Sequence, residues 1–317
     1  MKKTLCGLLC ALFFLVIPAA SAQGPPWKHP VASTRTLHIG GATIQVDFGP
    51  GPTDLPEDRI VEWVKRAAQA VSVYYGRFPV SQDRVLVEFS SGERGIGHGT
   101  TWGGVGGVQA FTRIEIGQHT TQQDLDDDWM MTHELVHTAF PSVSDEHHWI
   151  EEGLATYIEP IARVQAGFLK PERIWNDMLS DMPKGSPQSA DRGLDHTHTW
   201  GRTYWGGAQF CLLADVTIRR ETHNQKGLED SLRGIVAAGG TIDHEWPLAT
   251  VLAMGDKATG TRVLTDLYNQ MGSTPKPVDL NALWTELGVA GTTEGAIFDD
   301  NAPLAQIRQA ITRTPKQ

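Results

Sequence analysis

Cysteine is scarce in this sequence. Of its three cysteines, Cys6 and Cys10 fall within the first 22 residues, and the remainder of the chain holds only Cys211. An internal disulfide is therefore excluded beyond residue 22, and a hydrophobic core has to supply the stability. Cys211 sits in the apolar run Phe210-Cys211-Leu212-Leu213, the setting of a small core residue rather than a nucleophile. Long apolar runs are lacking too. The best, Leu5–Ile17, has thirteen residues, whereas a bilayer span needs about 20. Basic charge is in deficit, as the 295 residues after Ala22 carry 25 Lys and Arg against 37 Asp and Glu, a formal charge of −12. Such a surface repels phosphate backbones and anionic lipid. No nucleic-acid partner, no membrane span in the mature chain and no obligate protein partner are expected.

What the N-terminus does have is the layout of a secretory signal peptide. Met1-Lys2-Lys3 supplies the basic start, Leu5–Ile17 the apolar core, and Ala20-Ser21-Ala22 a small-residue cleavage site. Cleavage near Ala22-Gln23 and a secreted or periplasmic product are expected. After it, Leu37 and Ile39 alternate with Ile44, Val46 and Phe48 across Gly40-Gly41, which predicts a tight hairpin. Asp54, Pro56 and Glu57 open a helix whose buried stripe is Ile60, Val64, Ala67, Val71 and Tyr74, and Gly76 closes it. Val85, Val87 and Phe89 mark a strand. Residues 92–107 contain eight glycines without a dinucleotide or phosphate-loop signature, which predicts a flexible loop holding a solvated His98. A strand at 108–116 follows, then helices at about 124–139, 149–166 and 203–220, and a helical C-terminal third. Asp126-Asp127-Asp128 lacks the spacing of a calcium loop and reads as favourable charge in a first helical turn.

The chemistry concentrates at Trp129-Met-Met-Thr-His133-Glu134-Leu-Val-His137. Residues four apart on a helix share a face, so the two imidazoles can reach one zinc ion. Glu134 is placed to hydrogen-bond a water that zinc holds. Zinc lowers the pKa of such water to about 7, and the carboxylate can take its proton. Zinc needs a third protein ligand. A further histidine in the spacing His-Glu-x-x-His-x-x-Gly-x-x-His is absent, because Phe140 and Val143 occupy those positions. Glu152, on a following helix with Ile150, Leu154 and Ile158 buried, can complete a His-His-Glu site. Glu151, His147 and His148 are its neighbours and rivals. Glu159 shares a face with Glu152 and could orient a ligating histidine. His196, His198 and Arg202 are weaker candidates for the cleft.

His133-Glu134-x-x-His137, Trp149-x-x-Glu152-Gly153-x-Ala155 and Tyr204-Trp205-Gly206-Gly207 together resemble the gluzincin metallopeptidases, the group of thermolysin, aminopeptidase N and glycyl-aminopeptidase. The resemblance covers about residues 100–215. It implies that Glu152 is the third zinc ligand and that the Tyr204 phenol stabilises the oxyanion. Two departures stand out. Only fourteen residues separate His137 from Glu152, a trimmed connection. The aminopeptidases' Gly-x-Met-Glu-Asn segment, whose glutamate grips a free amine, has as its counterpart Gly103–Ala110, without a carboxylate. The strand at 108–116 is expected to be the edge that pairs with substrate.

The expected fold is α+β and thermolysin-like: a small mixed or antiparallel sheet subdomain with one helix (23–118), a helical zinc-binding subdomain (119–220) and a helical C-terminal subdomain (221–317). The expected activity is peptide-bond hydrolysis on a peptide or protein substrate, with one Zn²⁺ per chain, ligands His133, His137 and Glu152, and catalytic Glu134 and Tyr204. The rivals are a non-catalytic binding protein on the same fold and a zinc hydrolase of a non-peptide amide.

Overall fold

The computed structural model describes residues 25–314, so the signal-peptide expectation lies outside the described residues. Strands β1 (Ser33–Ile39) and β2 (Ala42–Phe48) pair antiparallel around Gly40-Gly41. Both glycines hold positive φ, +57° and +85°, the backbone that a two-residue hairpin of right-handed twist demands. Helix α1 (Glu57–Tyr75) then crosses the sheet, the connection that a parallel pair needs. Its first turn is not capped by Asp54, whose carboxylate meets His119 instead. Glu57 and Asp58 face the positive helix end there.

Strand β3 (Gln82–Ser90) lies parallel to β2, and β5 (Ala110–Gly117) lies parallel to β3. Strand β4 (Ile96–Gly103) adds antiparallel outside β5, so the sheet is mixed and its order is β1-β2-β3-β5-β4. This corrects two expectations. The glycine-rich stretch is a strand rather than a loop, because pairing to β5 supplies the hydrogen bonds that its composition does not favour. The edge is β4, and the expected edge strand at 108–116 is interior.

The expected helix at 124–139 is two helices, α2 (Gln122–Asp127) and α3 (Met130–His137). Between them the Asp128 carboxylate accepts from the backbone N–H groups of Met130 and Met131, each at 3.0 Å, and so starts α3. Asp126 and Asp127 therefore end a helix instead of opening one, and Asp126 pairs with Arg66 at 2.6 Å. Helix α4 (His148–Gln165) buries 14 of its 18 residues, the signature of a central helix. It packs on α1, α3 and α6 (Gly207–Glu221). Helix α5 (Pro171–Asp181) intervenes, and a π-helical turn at Gly201–Gly206 leads into α6.

The C-terminal third is helical at α7 (Leu228–Ala237), α8 (Leu248–Thr259), α9 (Val263–Met271), α10 (Leu280–Leu287) and α11 (Ala305–Ile311). It also holds an unforeseen hairpin, β6 (Val289–Thr292) with β7 (Gly295–Phe298). The loop before α8 returns to the centre, where Ile242 and Ser142 donate backbone N–H groups to Thr138 and His244. No helix among the described residues is long and apolar enough to cross a membrane.

Candidate active site

Helix α3 carries His133 and His137 one turn apart, with ring centroids 5.0 Å from each other. Helix α4 brings Glu152 beside them. Its Oε2 lies 3.1 Å from His133 Nε2 and 3.8 Å from His137 Nε2. One donor atom from each of the three residues falls within 4.8 Å of the other two, a grouping that nothing else among the described residues forms.

The donor set fits zinc. Two imidazoles and a carboxylate are one of its catalytic sets, and bonds of about 2.0–2.1 Å put tetrahedral ligands roughly 3.3 Å apart. The observed separations of 3.1 and 3.8 Å bracket that spacing. The rivals are engaged elsewhere. Glu151 meets His148 Nδ1 at 3.1 Å and the Val143 N–H at 3.4 Å, and His147 meets Asp195 at 2.9 Å. His148 Nε2 lies 3.3 Å from Glu152 Oε1, the oxygen turned away from His133.

Burial and charge divide the acids by role. Burial alone would raise the Glu152 carboxyl, but the hydrogen bond with His133 and the positive charge of His137, His133 and His148 hold it at about 2. Burial lowers the His137 imidazole to about 4, so it is neutral and free to ligate at pH 7. Glu134 behaves oppositely. Burial lifts it to about 7 against the opposing effects of His133 and of a Thr101 hydrogen bond, with the Glu152 charge adding to the rise. Thr101 on β4 donates its hydroxyl to Glu134 Oε2 at 2.8 Å. Gly99, also on β4, lies so close that a β-carbon there would stand 2.7 Å from Glu134 Cγ.

The Tyr204 ring stacks on His133, centroids 6.2 Å apart and planes within 19°. Burial first, then the charges of Glu152 and Glu134, push its phenol up to about 12. It is a donor across the physiological range. Two glycines of the sequence motifs explain how Glu152 and Tyr204 come together. A β-carbon on Gly153 would lie 2.4 Å from Gly207 Cα, and one on Gly207 would lie 2.2 Å from the Trp149 carbonyl. Helices α4 and α6 thus cross with no side chain between them, which sets Glu152 and Tyr204 on one cleft.

The cleft encloses about 550 Å³ between β4 and helices α3 and α4, and Phe140, Ser142 and Ile242 also line it. His98 lines it, exposed, from β4. Glu159 does not reach it. Its carboxyl accepts from Arg163 at 2.7 Å, which replaces the expected support of a histidine. His196 and His198 are exposed away from it, and Arg202 is buried against Asp191 at 2.7 Å. The cleft residues that sequence reasoning missed are Gly99 and Thr101 on β4 and the exposed Trp129. Their only signal was the glycine alternation at 97, 99 and 103, which suits a strand pressed against another element. Strand β4 (Ile96–Gly103), which borders the cleft, holds no carboxylate.

No protein-family model matches this chain, and no curated protein matches it in sequence. Solved structures do resemble it. An aminopeptidase N family protein from Idiomarina loihiensis superposes with a TM-score of 0.56 at 13% identity, over 81% of this chain and 49% of that one. An M1 zinc metallopeptidase from Deinococcus radiodurans gives 0.47 at 16%, over 78% and 54%. Legionella pneumophila aminopeptidase A gives 0.49 at 12%, over 76% and 28%. This chain spans about half the length of the first two, and the likeness to the first, at 13% identity, is one of fold alone.

Proposed function

We propose that this chain is an exported, zinc-dependent metallopeptidase of the gluzincin type. The observation that carries the reading is the separation of roles in one cleft. Three donors converge at His133, His137 and Glu152, while a fourth group, Glu134, stands beside them outside the donor set with a raised proton affinity. A zinc ion held by the three would polarise the scissile carbonyl and acidify water.

The chain's own residues do the rest. Glu134 Oε1 or Oε2 takes the proton of the attacking water, and the same carboxyl later delivers it to the leaving amine. The Thr101 hydroxyl holds that carboxyl in place. Tyr204 donates its phenolic hydrogen to the oxygen on which charge develops. Among the described residues the outer edge of β4 has no partner strand, and it offers backbone groups to an extended peptide. A strand without a carboxylate favours peptides engaged along their backbone over peptides gripped by a free amine.

The test is hydrolysis of a mixed peptide set by zinc-loaded protein, by chelated protein and by chelated protein resupplied with zinc. Activity should disappear and return. Glu134→Gln should retain one zinc per chain and lose nearly all turnover, since it removes a base and leaves the ligands. Protein that binds no stoichiometric zinc, or a Glu134→Gln variant with undiminished turnover, overturns the reading.

A further inference from the structure

A second cavity of about 340 Å³ adjoins the cleft and shares His133, Tyr204 and Trp129 with it. Its outer walls include Trp200, Trp205, Leu169 and Ile174. Four large hydrophobic side chains are strongly exposed among the described residues, and two of them, Trp129 at 49% and Trp200 at 60%, border this cavity. Apolar surface left in water beside a reactive centre marks a binding site more often than an accident of packing.

The rings are also ordered. Trp200 stacks on Tyr204 with centroids 5.7 Å apart and planes within 27°, and Tyr204 stacks in turn on His133. Trp129 meets His133 edge-on at 5.3 Å. A file of aromatic rings therefore leads from solvent to the candidate metal ligands.

The charges around the cavity are spent on one another. Arg163 pairs with Glu159 at 2.7 Å and Lys184 with Asp181 at 2.6 Å. Arg173 lies 3.7 Å from Asp177 and 3.9 Å from Asp127. Lys184 also sits over the Trp200 and Trp205 rings, 5.9 and 5.7 Å from their centroids, so an anionic guest finds no free cation, whereas an uncharged ring finds an aromatic wall. The volume is at the small end of ligand cavities, which run about 300–1,000 Å³, and suits one bulky side chain.

We propose that this cavity is the subsite for an aromatic side chain flanking the scissile bond, with Trp200 as its principal wall. The proposal rests on the peptidase reading and makes the substrate class specific.

The experiment uses internally quenched peptides identical but for one residue beside the scissile bond: Phe, Trp, Leu, Ala, Lys or Asp. The zinc-loaded full chain should show kcat/KM at least tenfold higher for Phe or Trp than for Ala. Trp200→Ala should bring that ratio below about threefold, chiefly through KM, and Trp200→Phe should restore most of it. Trp200 is exposed, so its truncation leaves the core intact. No aromatic preference, or a preference that Trp200→Ala leaves unchanged, overturns the proposal.

A binding arm separates the cavity from the peptidase reading. Zinc-loaded Glu134→Gln is titrated with N-acetyl-phenylalaninamide and N-acetyl-alaninamide while tryptophan emission is followed. Saturable quenching by the phenylalanine amide alone, lost in the double variant with Trp200→Ala, supports the subsite even where no peptide is cleaved. An equal response to both amides overturns it.

Discussion

The two walls of the cleft are built on opposite plans. On one side, His133, Glu134 and Glu152 are almost fully buried, at 4, 6 and 9% exposure, on helices packed into the main core. On the other, β4 is an edge strand with glycine at 97, 99 and 103 and no fully buried residue. The helical wall holds reacting groups still, which catalysis by positioned charge requires. The strand wall contributes mostly backbone and empty space. What it supplies to Glu134 is a single hydroxyl, Thr101, and the absence of a side chain at Gly99.

The largest effect should come from breaking the helical wall. Glu152→Ala, His133→Ala or His137→Ala should abolish stoichiometric zinc and all turnover, whereas Glu151→Ala should leave zinc bound. Zinc titration of the four variants checks this. The two carboxylates are neighbours about 100° apart on one helix, and only Glu152 is turned to both imidazoles. Zinc loss in Glu151→Ala and retention in Glu152→Ala would put the third ligand on the wrong residue.

Next comes Tyr204→Phe, which removes one oxygen and keeps the ring stacked on His133. Turnover should fall roughly 10²–10³-fold, the cost of one oxyanion donor, with zinc content and KM nearly unchanged. A variant that retains most of its activity makes Tyr204 a packing residue.

The strand wall is tested by Gly99→Ala. The added β-carbon would lie 2.7 Å from Glu134 Cγ and 2.8 Å from Oε1, against a carboxyl that Thr101 already restrains. Displacing a reacting group by about 1 Å costs on the order of 10²-fold, so kcat should drop by about that factor with zinc retained. Unchanged kcat would mean that the wall is more pliable than its packing implies.

The same contrast governs what the sequence made legible. The helical wall announces itself, because i, i+4 histidines and a Trp-x-x-Glu-Gly helix carry their geometry in their spacing. Gly153 and Gly207 were visible as motif letters, and only the crossing of α4 over α6 explains them. Eight glycines in sixteen residues suppress any local strand preference, so the sequence around β4 predicts a loop. Its pairing with β5 is a tertiary fact. Trp129 and Trp200 were passed over for a similar reason, since nothing local distinguishes an exposed indole from a buried one. The break at Asp128 was missed because the carboxylate run was read as one helix start, when its last member begins the next helix.

The smallest effect on turnover, none, is expected at Asp83, one of two acids buried in the sheet, the other being Asp47. Asp83 on β3 lies between Ile44 and Ala110. It is 1% exposed, and neither carboxyl oxygen has a hydrogen-bond partner among the described residues. Burial pushes it up to about 7, the level that Glu134 reaches. The same proton affinity thus arises in three places, Glu134, Asp83 and Glu159, and only at Glu134 is it set among the metal donors in the cleft. A raised carboxyl by itself does not mark a catalytic site. Asp83 should act on stability alone. Folding takes up a proton at Asp83 between its ordinary value of 3.8 and about 7, so its contribution is favourable below that window and is lost as pH rises through it. At about 1.4 kcal/mol per unit, the loss is on the order of a few kcal/mol by pH 8. Asp83→Asn cannot titrate. In denaturant unfolding at pH 4 and pH 8, the variant should therefore gain on the parent by that order between the two, with zinc content and turnover equal to the parent's. If the stability difference between them is the same at both pH values, Asp83 is ionised in the fold and has a partner. If turnover falls instead, the sheet interior is coupled to the β4 wall, and the contrast between a rigid helical half and a merely supporting sheet half no longer holds.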